Sequence, residues 1–157
     1  MSNDNVEIVG YDGDRADLGE LFRLAEDSES ALAGYIGLGT VWVARDDAGT
    51  VVGHALASAA EGTWEIVSTA VVAHRQGRGI GRRLLEHVVA EARAAGARRL
   101  VVATAAADVG NLRFYQRCGL RMERIVQDAF VPETGYPDPI EIDGIPLRDQ
   151  VWFGMEL

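Results

Sequence analysis

Apolar and polar residues alternate over short runs in the first half of the chain, a pattern typical of half-buried strands. The first run, residues 5–11, precedes a helix that Asp14 is predicted to cap and a second, shorter helix predicted to begin at Ser28 or Ser30. Glycine-containing turns separate three β-prone runs that follow: residues 40–45, 50–57 and 64–72. These three runs predict an antiparallel meander.

The periodicity changes after Val72. A loop rich in Gly and Arg, residues 73–79, leads into a run that begins at Ile80, where apolar residues recur at helical spacing until Gly96. Residues 100–104 are wholly apolar, which is typical of a strand buried on both faces. This strand–loop–helix–strand unit predicts two parallel strands.

The last third of the chain predicts another helix, closed by Gly119, and two strands over residues 120–126 and 151–157. Residues 128–149 between those strands contain all four prolines, so this acidic segment is predicted to be a loop or hairpin. The elements together predict a single domain, residues 1–157, of the α+β class. Its sheet is mixed, mostly antiparallel, with six to seven strands, helices on both faces and a central βαβ unit.

The composition is that of an acidic globular protein. Hydrophobic residues make up 48% and charged residues 25% of the 157 residues, and the formal net charge is -9. The hydrophobic content excludes a disordered chain, and the negative net charge argues against nonspecific binding to nucleic acid. Cys118 is the one cysteine, which fits a reducing cytoplasm. No apolar stretch approaches the roughly 20 residues of a membrane helix, and the three histidines do not have metal-ligand spacing, so neither membrane binding nor a metal is expected.

A basic island interrupts this acidic chain. Residues 71–85 hold four arginines and no acidic residue. Such a concentration of positive charge indicates an anion-binding site, although a solvated helix face is the alternative interpretation.

The glycine-rich loop from Gln76 to Gly81 lies between a predicted strand and a predicted helix, where unpaired backbone N–H groups can bind a diphosphate. It lacks the Lys-Ser/Thr pair of a Walker A loop, and its third glycine comes one residue too early for the dinucleotide fingerprint. A dinucleotide-binding protein is therefore disfavoured. The loop does match the pattern Q/R-x-x-G-x-G/A.

Two blocks of sequence, residues 70–85 and 111–120, resemble the acetyl-CoA-binding motif and the N-x-x-x-x-Y-x-x-x-G-F/L helix of the Gcn5-related N-acetyltransferase (GNAT) superfamily. The resemblance covers residues 40–126 well. It implies a GNAT-like fold and an enzyme that transfers the acetyl group of acetyl-CoA to a primary amine by direct attack. A non-catalytic acyl-CoA-binding or regulatory protein of the same fold is the alternative.

The resemblance also implies roles for individual residues. In the family the strand before the loop splays from its parallel neighbour, and its free backbone groups, here those of Thr69, Ala70 and Val71, bind the pantetheine arm. Asn111 would contact the cofactor, and Tyr115 would protonate the leaving thiolate. The pyrophosphate would be held by Gln76, Gly77, Arg78, Gly79, Ile80 and Gly81, with Arg82 just beyond them.

Glu65 is the candidate general base. It lies six residues before Val71, so a period of two predicts that both side chains share one face of the strand. Histone-acetylating members of the family carry their general base at that interval. The alternative is an exposed polar position on a half-buried strand. Trp64, its neighbour, is expected to border the acceptor site.

The acceptor side is expected at the chain ends, as in relatives. The acidic segment 128–149 carries Phe130 and Tyr136, and its charge would attract cations. A small, positively charged primary amine is therefore the predicted acceptor, although the acidic residues could instead only keep a surface hairpin soluble. A homodimer through the C-terminal strands is compatible with the resemblance.

Overall fold

The computed structural model describes residues 5–157. Their strands are β1 (Val6–Tyr11), β2 (Thr40–Asp46), β3 (Val51–Ala60), β4 (Thr63–Val71), β5 (Arg99–Ala105), β6 (Arg121–Val126), β7 (Glu141–Ile142), β8 (Ile145–Pro146) and β9 (Gln150–Glu156). Their α-helices are α1 (Gly19–Ala25), α2 (Glu29–Tyr35), α3 (Ile80–Ala94) and α4 (Val109–Arg117). None of these helices is long and apolar enough to cross a membrane.

Seven strands form one sheet in the order β1-β2-β3-β4-β5-β9-β6, and β7 pairs with β8 in a separate small hairpin within residues 128–149. All neighbours in the large sheet are antiparallel except β4 and β5, which are parallel. The predicted α+β class, the meander and the central βαβ unit are thus confirmed. The last strand inserts between β5 and β6, so the chain ends beside the parallel pair.

Side-chain caps fix where the helices begin. Asp14 accepts a hydrogen bond from the Ala16 amide and starts the 3-10 turn that leads into α1. Ser28 caps α2, as predicted from the sequence, and Asp108 caps α4 by accepting from the Asn111 amide. Each cap satisfies a backbone N–H that would otherwise lack a partner, which is why short polar residues determine these boundaries.

The parallel pair β4 and β5 separates part of the way along its length. Residues 63–66 of β4 pair with residues 99–102 of β5, and the pairing ends at Ile66 and Val102. Both strands continue beyond that point, β4 to Val71 and β5 to Ala105. A gap therefore opens between them, with its vertex at Ile66.

A β-bulge at Val67 changes which side chains share a face of β4. Glu65 pairs with Ser58 of β3, whereas Val71 pairs with Gly53, and the register shifts between these pairs. Since Ser58 and Gly53 are five residues apart, they point to opposite faces of the sheet. The prediction that Glu65 and Val71 share a face is therefore wrong, because the extra residue breaks the period of two.

Helices cover the two faces of the sheet with separate apolar clusters. On one face, here called the α3/α4 face, Leu84, Val88 and Tyr115 pack with Ile66 and Phe153. On the opposite α1/α2 face, the buried cluster consists of Leu18, Phe22, Leu32, Val41, Val43 and Leu56. The bulge residue Val67 packs against this second cluster, so Glu65 is on the α1/α2 face and Val71 on the α3/α4 face.

Candidate active site

The glycine-rich loop has an open concave backbone at the start of α3. Gly77 and Gly79 adopt left-handed φ angles of 75° and 84°, and an added Cβ on either residue would meet no atom within 4 Å. Glycine allows this conformation at little cost and leaves the amides of the first helical turn accessible. Residues 71–85, which include this loop, carry four arginines and no acidic residue, so the sequence adds positive charge near a helix start that favours anions. The residues present therefore fit a diphosphate.

Two side chains fix the start of this loop. Gln76 donates a hydrogen bond from Nε2 to the carbonyl of Val71, 2.9 Å away, and so ties the loop to the end of β4. Arg75, whose side chain is only 13% exposed, lies 3.5 Å from the carboxylate of Asp46, the last residue of β2. The loop is thus held from both sides before any ligand binds.

The predicted loop residues differ in what they can offer a diphosphate. The side chain of Ile80 is 2% exposed and packs in the core, so Ile80 can contribute only its amide. Arg82 forms a 2.9 Å ion pair with Glu86 on the surface of α3, while Gly81 lies in the first turn of the helix. Arg78 belongs to the loop and is already engaged with another group.

The gap between β4 and β5 places Thr69, Ala70 and Val71 on an edge of β4 that has no partner strand on the β5 side. This is the splayed arrangement that the resemblance implies. On the other side of the gap, Asn111 donates from its side-chain amide to the Thr104 hydroxyl, 3.1 Å away at the end of β5. The gap is therefore bounded by backbone on one side and by the start of α4 on the other.

Tyr115 reaches the vertex of the gap from the α3/α4 face. Its ring centroid lies 5.5 Å from that of Phe153, a residue that pairs with Val102 at the last paired position of β5. The tyrosine is 3% exposed, and burial raises the pKa of its hydroxyl above the ordinary value. The phenol therefore stays protonated at neutral pH.

Glu65 reaches the same vertex from the α1/α2 face, one residue before the pairing of β4 and β5 ends. Its side chain is half-buried, and among the described residues it makes no ion pair or side-chain hydrogen bond. Burial raises the pKa of the carboxyl group above its usual value. Glu65 and Tyr115 thus lie on opposite faces of the sheet near the vertex of the gap.

Trp64 lies on the face opposite to Glu65, because neighbouring residues of a strand point to opposite faces. Its ring lies 6.1 Å from that of Trp42 in a stacked arrangement on the α3/α4 face, and His87 of α3 contacts Trp42 edge-on. That Trp64 borders the acceptor site stays a prediction.

Sequence reasoning missed a polar network on the α1/α2 face. Tyr136, in the segment after β6, donates from its hydroxyl to the carboxylate of Glu26, 2.5 Å away in the turn between α1 and α2. Tyr35, at the end of α2, lies near Ser68 of β4. The sequence pointed to this network only through Phe130 and Tyr136, the two aromatic residues of the acidic segment. Tyr136 and its partner Glu26 are 110 residues apart, so no local pattern links them.

His54 ends this network inside the core. It is fully buried, its ring packs 4.4 Å from that of Phe22, and its Nε2 lies 2.8 Å from the Ser68 hydroxyl. Its Nδ1 is buried without a hydrogen-bond partner. Burial lowers the pKa of this imidazole to about 4, so the ring is neutral at physiological pH.

We expect this histidine to make the protein sensitive to mild acid. Its pKa is about 6.5 when unfolded and about 4 when folded, so the stabilising contribution is complete above pH 6.5 and is lost as the pH falls towards 4. The free energy of unfolding should fall by about 3 kcal/mol over that range. Urea unfolding at a series of pH values measures it. His54→Gln, which keeps a donor for Ser68, should flatten this dependence, and an unchanged slope would contradict the assignment.

Comparison with known proteins adds to this geometry. The family model described as "Acetyltransferase (GNAT) family" matches residues 12–120. The uncharacterized N-acetyltransferase YvbK of Bacillus subtilis (strain 168) is 31% identical over 144 residues, which are 90% of each chain.

Solved structures agree over almost the whole chain. An IAA acetyltransferase from Bacillus cereus ATCC 14579 is 35% identical, with a TM-score of 0.88 over 98% of this chain and 100% of the other. A GNAT family acetyltransferase from Elizabethkingia anophelis, solved with acetyl-CoA bound, is 29% identical, with a TM-score of 0.90 over 99% and 100%. A Bacillus subtilis acetyltransferase in complex with CoA is 27% identical, with a TM-score of 0.88 over 98% and 99%.

Proposed function

Because this chain belongs to the GNAT family of acetyltransferases, we propose that it transfers the acetyl group of acetyl-CoA to a primary amine, with Glu65 as the general base and Tyr115 as the general acid. The observation that carries this proposal is the gap between β4 and β5, which has an open anion-binding loop at one end and these two side chains at its vertex. Relatives solved with CoA or acetyl-CoA support the same donor.

Acetyl-CoA would lie along the gap. The amides from Gln76 to Gly81 would bind its diphosphate, with the arginines around them adding positive charge. The free edge of β4 at Thr69, Ala70 and Val71 would bind the pantetheine arm, and Asn111 would contact it from the start of α4. This direction leads the thioester from the loop towards the vertex at Ile66.

The two faces of the vertex suit the two proton transfers. The ammonium group of the acceptor first loses a proton to the Glu65 carboxylate, since a protonated amine has no lone pair to offer, and the neutral nitrogen then attacks the thioester carbonyl. The carbon–sulfur bond then breaks, the nitrogen releases its second proton to solvent, and the thiolate takes a proton from the Tyr115 hydroxyl. The products are the acetylated amine and the free thiol of CoA, and both side chains exchange protons with solvent before the next turnover.

The setting of Glu65 favours an enzyme over a non-catalytic acyl-CoA-binding protein. A half-buried carboxylate without an ion-pair or hydrogen-bond partner contributes nothing evident to stability, and its raised pKa records the cost of partial burial. Such a group is expected where a proton must be accepted. A protein that only bound acyl-CoA would have no use for it.

We expect the acceptor to be a small cationic amine. Residues 128–149 carry six acidic residues against Arg148, whose guanidinium already pairs with Asp128 at 2.6 Å. Their segment reaches the α1/α2 face through the Tyr136–Glu26 hydrogen bond, so its negative charge is near the side of the gap that holds Glu65. Long-range attraction would concentrate cations there.

Release of free CoA over an acceptor panel tests this function. The panel contains cationic amines, acidic amino acids and IAA, the compound named for the Bacillus cereus relative, and binding of acetyl-CoA and NAD is measured beside it. The chain contains no lysine, so lysine self-acetylation cannot contribute to the background. Cationic amines should be preferred, and high salt should reduce that preference by about fivefold.

The matched variant for the panel is Asp138→Asn combined with Glu141→Gln, which removes two charges of the acidic segment. It should lower kcat/KM for cationic amines at low salt and have little effect at high salt. A preference for acidic acceptors, or a cationic preference that neither salt nor this variant changes, would contradict the proposed acceptor. Binding of NAD without binding of acetyl-CoA would contradict the donor.

A further inference from the structure

We propose that Glu26 binds a second cationic group of the acceptor, so that the preferred acceptors are small diamines rather than monoamines. This inference rests on the proposed acetylation of amines and assigns a specificity-determining residue to it.

The Glu26 carboxylate carries a negative charge that no cation neutralises. It is half-buried in the turn between α1 and α2, where it accepts hydrogen bonds from the Tyr136 hydroxyl at 2.5 Å and from the Ser28 amide at 3.2 Å. Within residues 5–157 no arginine or histidine forms an ion pair with it, and Arg23 on α1 pairs with Glu29 instead. Donors hold the carboxylate in place, yet its charge is left available to a ligand.

Two tyrosines lie beside this carboxylate. Tyr35 and Tyr136 are both half-buried beside it, and Phe130 contacts the Tyr136 ring edge-on with the centroids 5.1 Å apart. Burial, together with the charge of Glu26, raises the pKa of Tyr35 to about 12 and that of Tyr136 further, so both phenols stay neutral. A carboxylate among neutral aromatic rings is a suitable environment for an ammonium group, which is attracted to the charge and to the ring faces.

The carboxylate is on the same side of the sheet as the proposed general base. Tyr35, whose pKa is raised by burial and by the charge of the nearby Glu26 carboxylate, also lies near Ser68 of β4. Ser68 pairs with Leu56 and Glu65 pairs with Ser58, and Leu56 and Ser58 are two residues apart on β3, so Ser68 and Glu65 share the α1/α2 face.

This location determines which acceptor can use both carboxylates. Glu65 and Ser68 are three positions apart on β4, and Tyr35 lies near both Ser68 and Glu26. The acceptor that this inference requires is a flexible diamine whose methylene chain reaches from one carboxylate to the other. One amine would react at Glu65 while a second, which stays protonated, occupies the carboxylate of Glu26. A monoamine of equal length would leave this charge unpaired, and an amino acid would place a like charge beside it.

Three acceptors with five carbon atoms each test the inference: 1,5-diaminopentane, 1-aminopentane and 5-aminopentanoate, with the four-carbon and six-carbon homologues of each as length controls. We expect kcat/KM of the diamine to exceed that of the monoamine by about tenfold, the value of one charge-assisted interaction, and 5-aminopentanoate to be the poorest. In Glu26→Gln, which keeps an oxygen for Tyr136 and Ser28, the ratio of diamine to monoamine should fall towards one.

Asp27→Asn is the matched control, because Asp27 is the exposed acidic neighbour in the same turn. It should keep the diamine preference, whereas a general effect of surface charge would reduce the preference in both variants. Glu26→Asp keeps the negative charge but shortens the side chain by one methylene group, so we expect an intermediate ratio of diamine to monoamine kcat/KM. This variant replaces Glu26→Gln in the test if Glu26→Gln does not fold.

The outcomes separate this inference from the function on which it rests. If the unmodified enzyme acetylates none of the amines, the proposed function fails. If it acetylates diamines and monoamines equally well, or if Glu26→Gln keeps the full preference for diamines while binding acetyl-CoA normally, only the role of Glu26 is overturned.

Discussion

We expect the Glu65→Gln variant to acetylate a good amine acceptor about a hundredfold more slowly than the unmodified enzyme, the usual contribution of a general base. Glutamine keeps the size and polarity of the side chain but cannot accept the proton of the attacking amine. Glu65 makes no ion pair or side-chain hydrogen bond among the described residues, so the substitution should not weaken the fold. The effect should appear in kcat, with little change in the affinity for acetyl-CoA.

The pH dependence of the rate distinguishes a base from a residue that only shapes the site. In the unmodified enzyme the rate should rise through the pKa of Glu65, which burial raises, and then level off. In Glu65→Gln this inflection should disappear, and the rate should rise until the free amine itself loses its proton near pH 10. Turnover at the unmodified rate, with the inflection kept, would contradict the role of Glu65.

Tyr115→Phe provides the comparison for this experiment. Loss of the hydroxyl should lower kcat at the step where the thiolate is protonated, so the acidic inflection assigned to Glu65 should remain. The buried ring keeps its contacts with Phe114 and Phe153, so acetyl-CoA affinity and stability should change little. An unchanged kcat in this variant would remove Tyr115 from the mechanism while leaving Glu65 in place.

Much of the fold could be predicted from local signals. The caps at Asp14, Ser28 and Asp108 act within three residues of their own position, so a short polar residue before an apolar run is a local signal that narrows each helix start to one or two residues. The glycine-rich loop is local in the same sense, because a left-handed φ at Gly79 is a requirement of one residue. Strand boundaries were correct to within a few residues, since alternation of polar and apolar positions extends along the whole element.

The error at Glu65 and Val71 has a different origin. The bulge at Val67 depends on how β3 pairs with β4, and the alternation of residues 64–72 does not reveal an extra residue. Its consequence favours the proposed chemistry, because Glu65 turns to the face opposite Tyr115. The amine and the leaving thiolate can then be served from different sides of the vertex.

The acceptor side was the least predictable part. The hydrogen bond between Tyr136 and Glu26 joins residues 110 positions apart, and the contact of Tyr35 with Ser68 joins a helix to a strand. Neither depends on a motif. Composition indicated only that acidic and aromatic residues occur together in residues 128–149. It did not identify Glu26 as the carboxylate that accepts the hydrogen bond of Tyr136.

The largest effect on donor binding is expected from Gly79→Val. The residue has a φ of 84°, and no atom lies within 4 Å of where its Cβ would be, so the space beside it is open to a ligand. A branched side chain there would occupy the space that the diphosphate needs and would disfavour the backbone conformation that presents the amides. We expect the Kd for acetyl-CoA to rise by about a hundredfold, equivalent to about 3 kcal/mol, as measured by calorimetric titration.

Gly96→Val separates the loss of the binding site from simple backbone strain. Gly96 follows α3 with a φ of 80° and also has no atom within 4 Å of an added Cβ, so valine imposes the same conformational cost at the other end of the helix. Both variants should lose about 1–2 kcal/mol of stability, because a β-branched residue is unfavourable in the left-handed region. Only Gly79→Val should lose affinity for acetyl-CoA. If the two folded variants bind acetyl-CoA with equal affinity, the diphosphate does not bind at this loop. A valine at position 79 weakens binding only if the ligand occupies the space beside it.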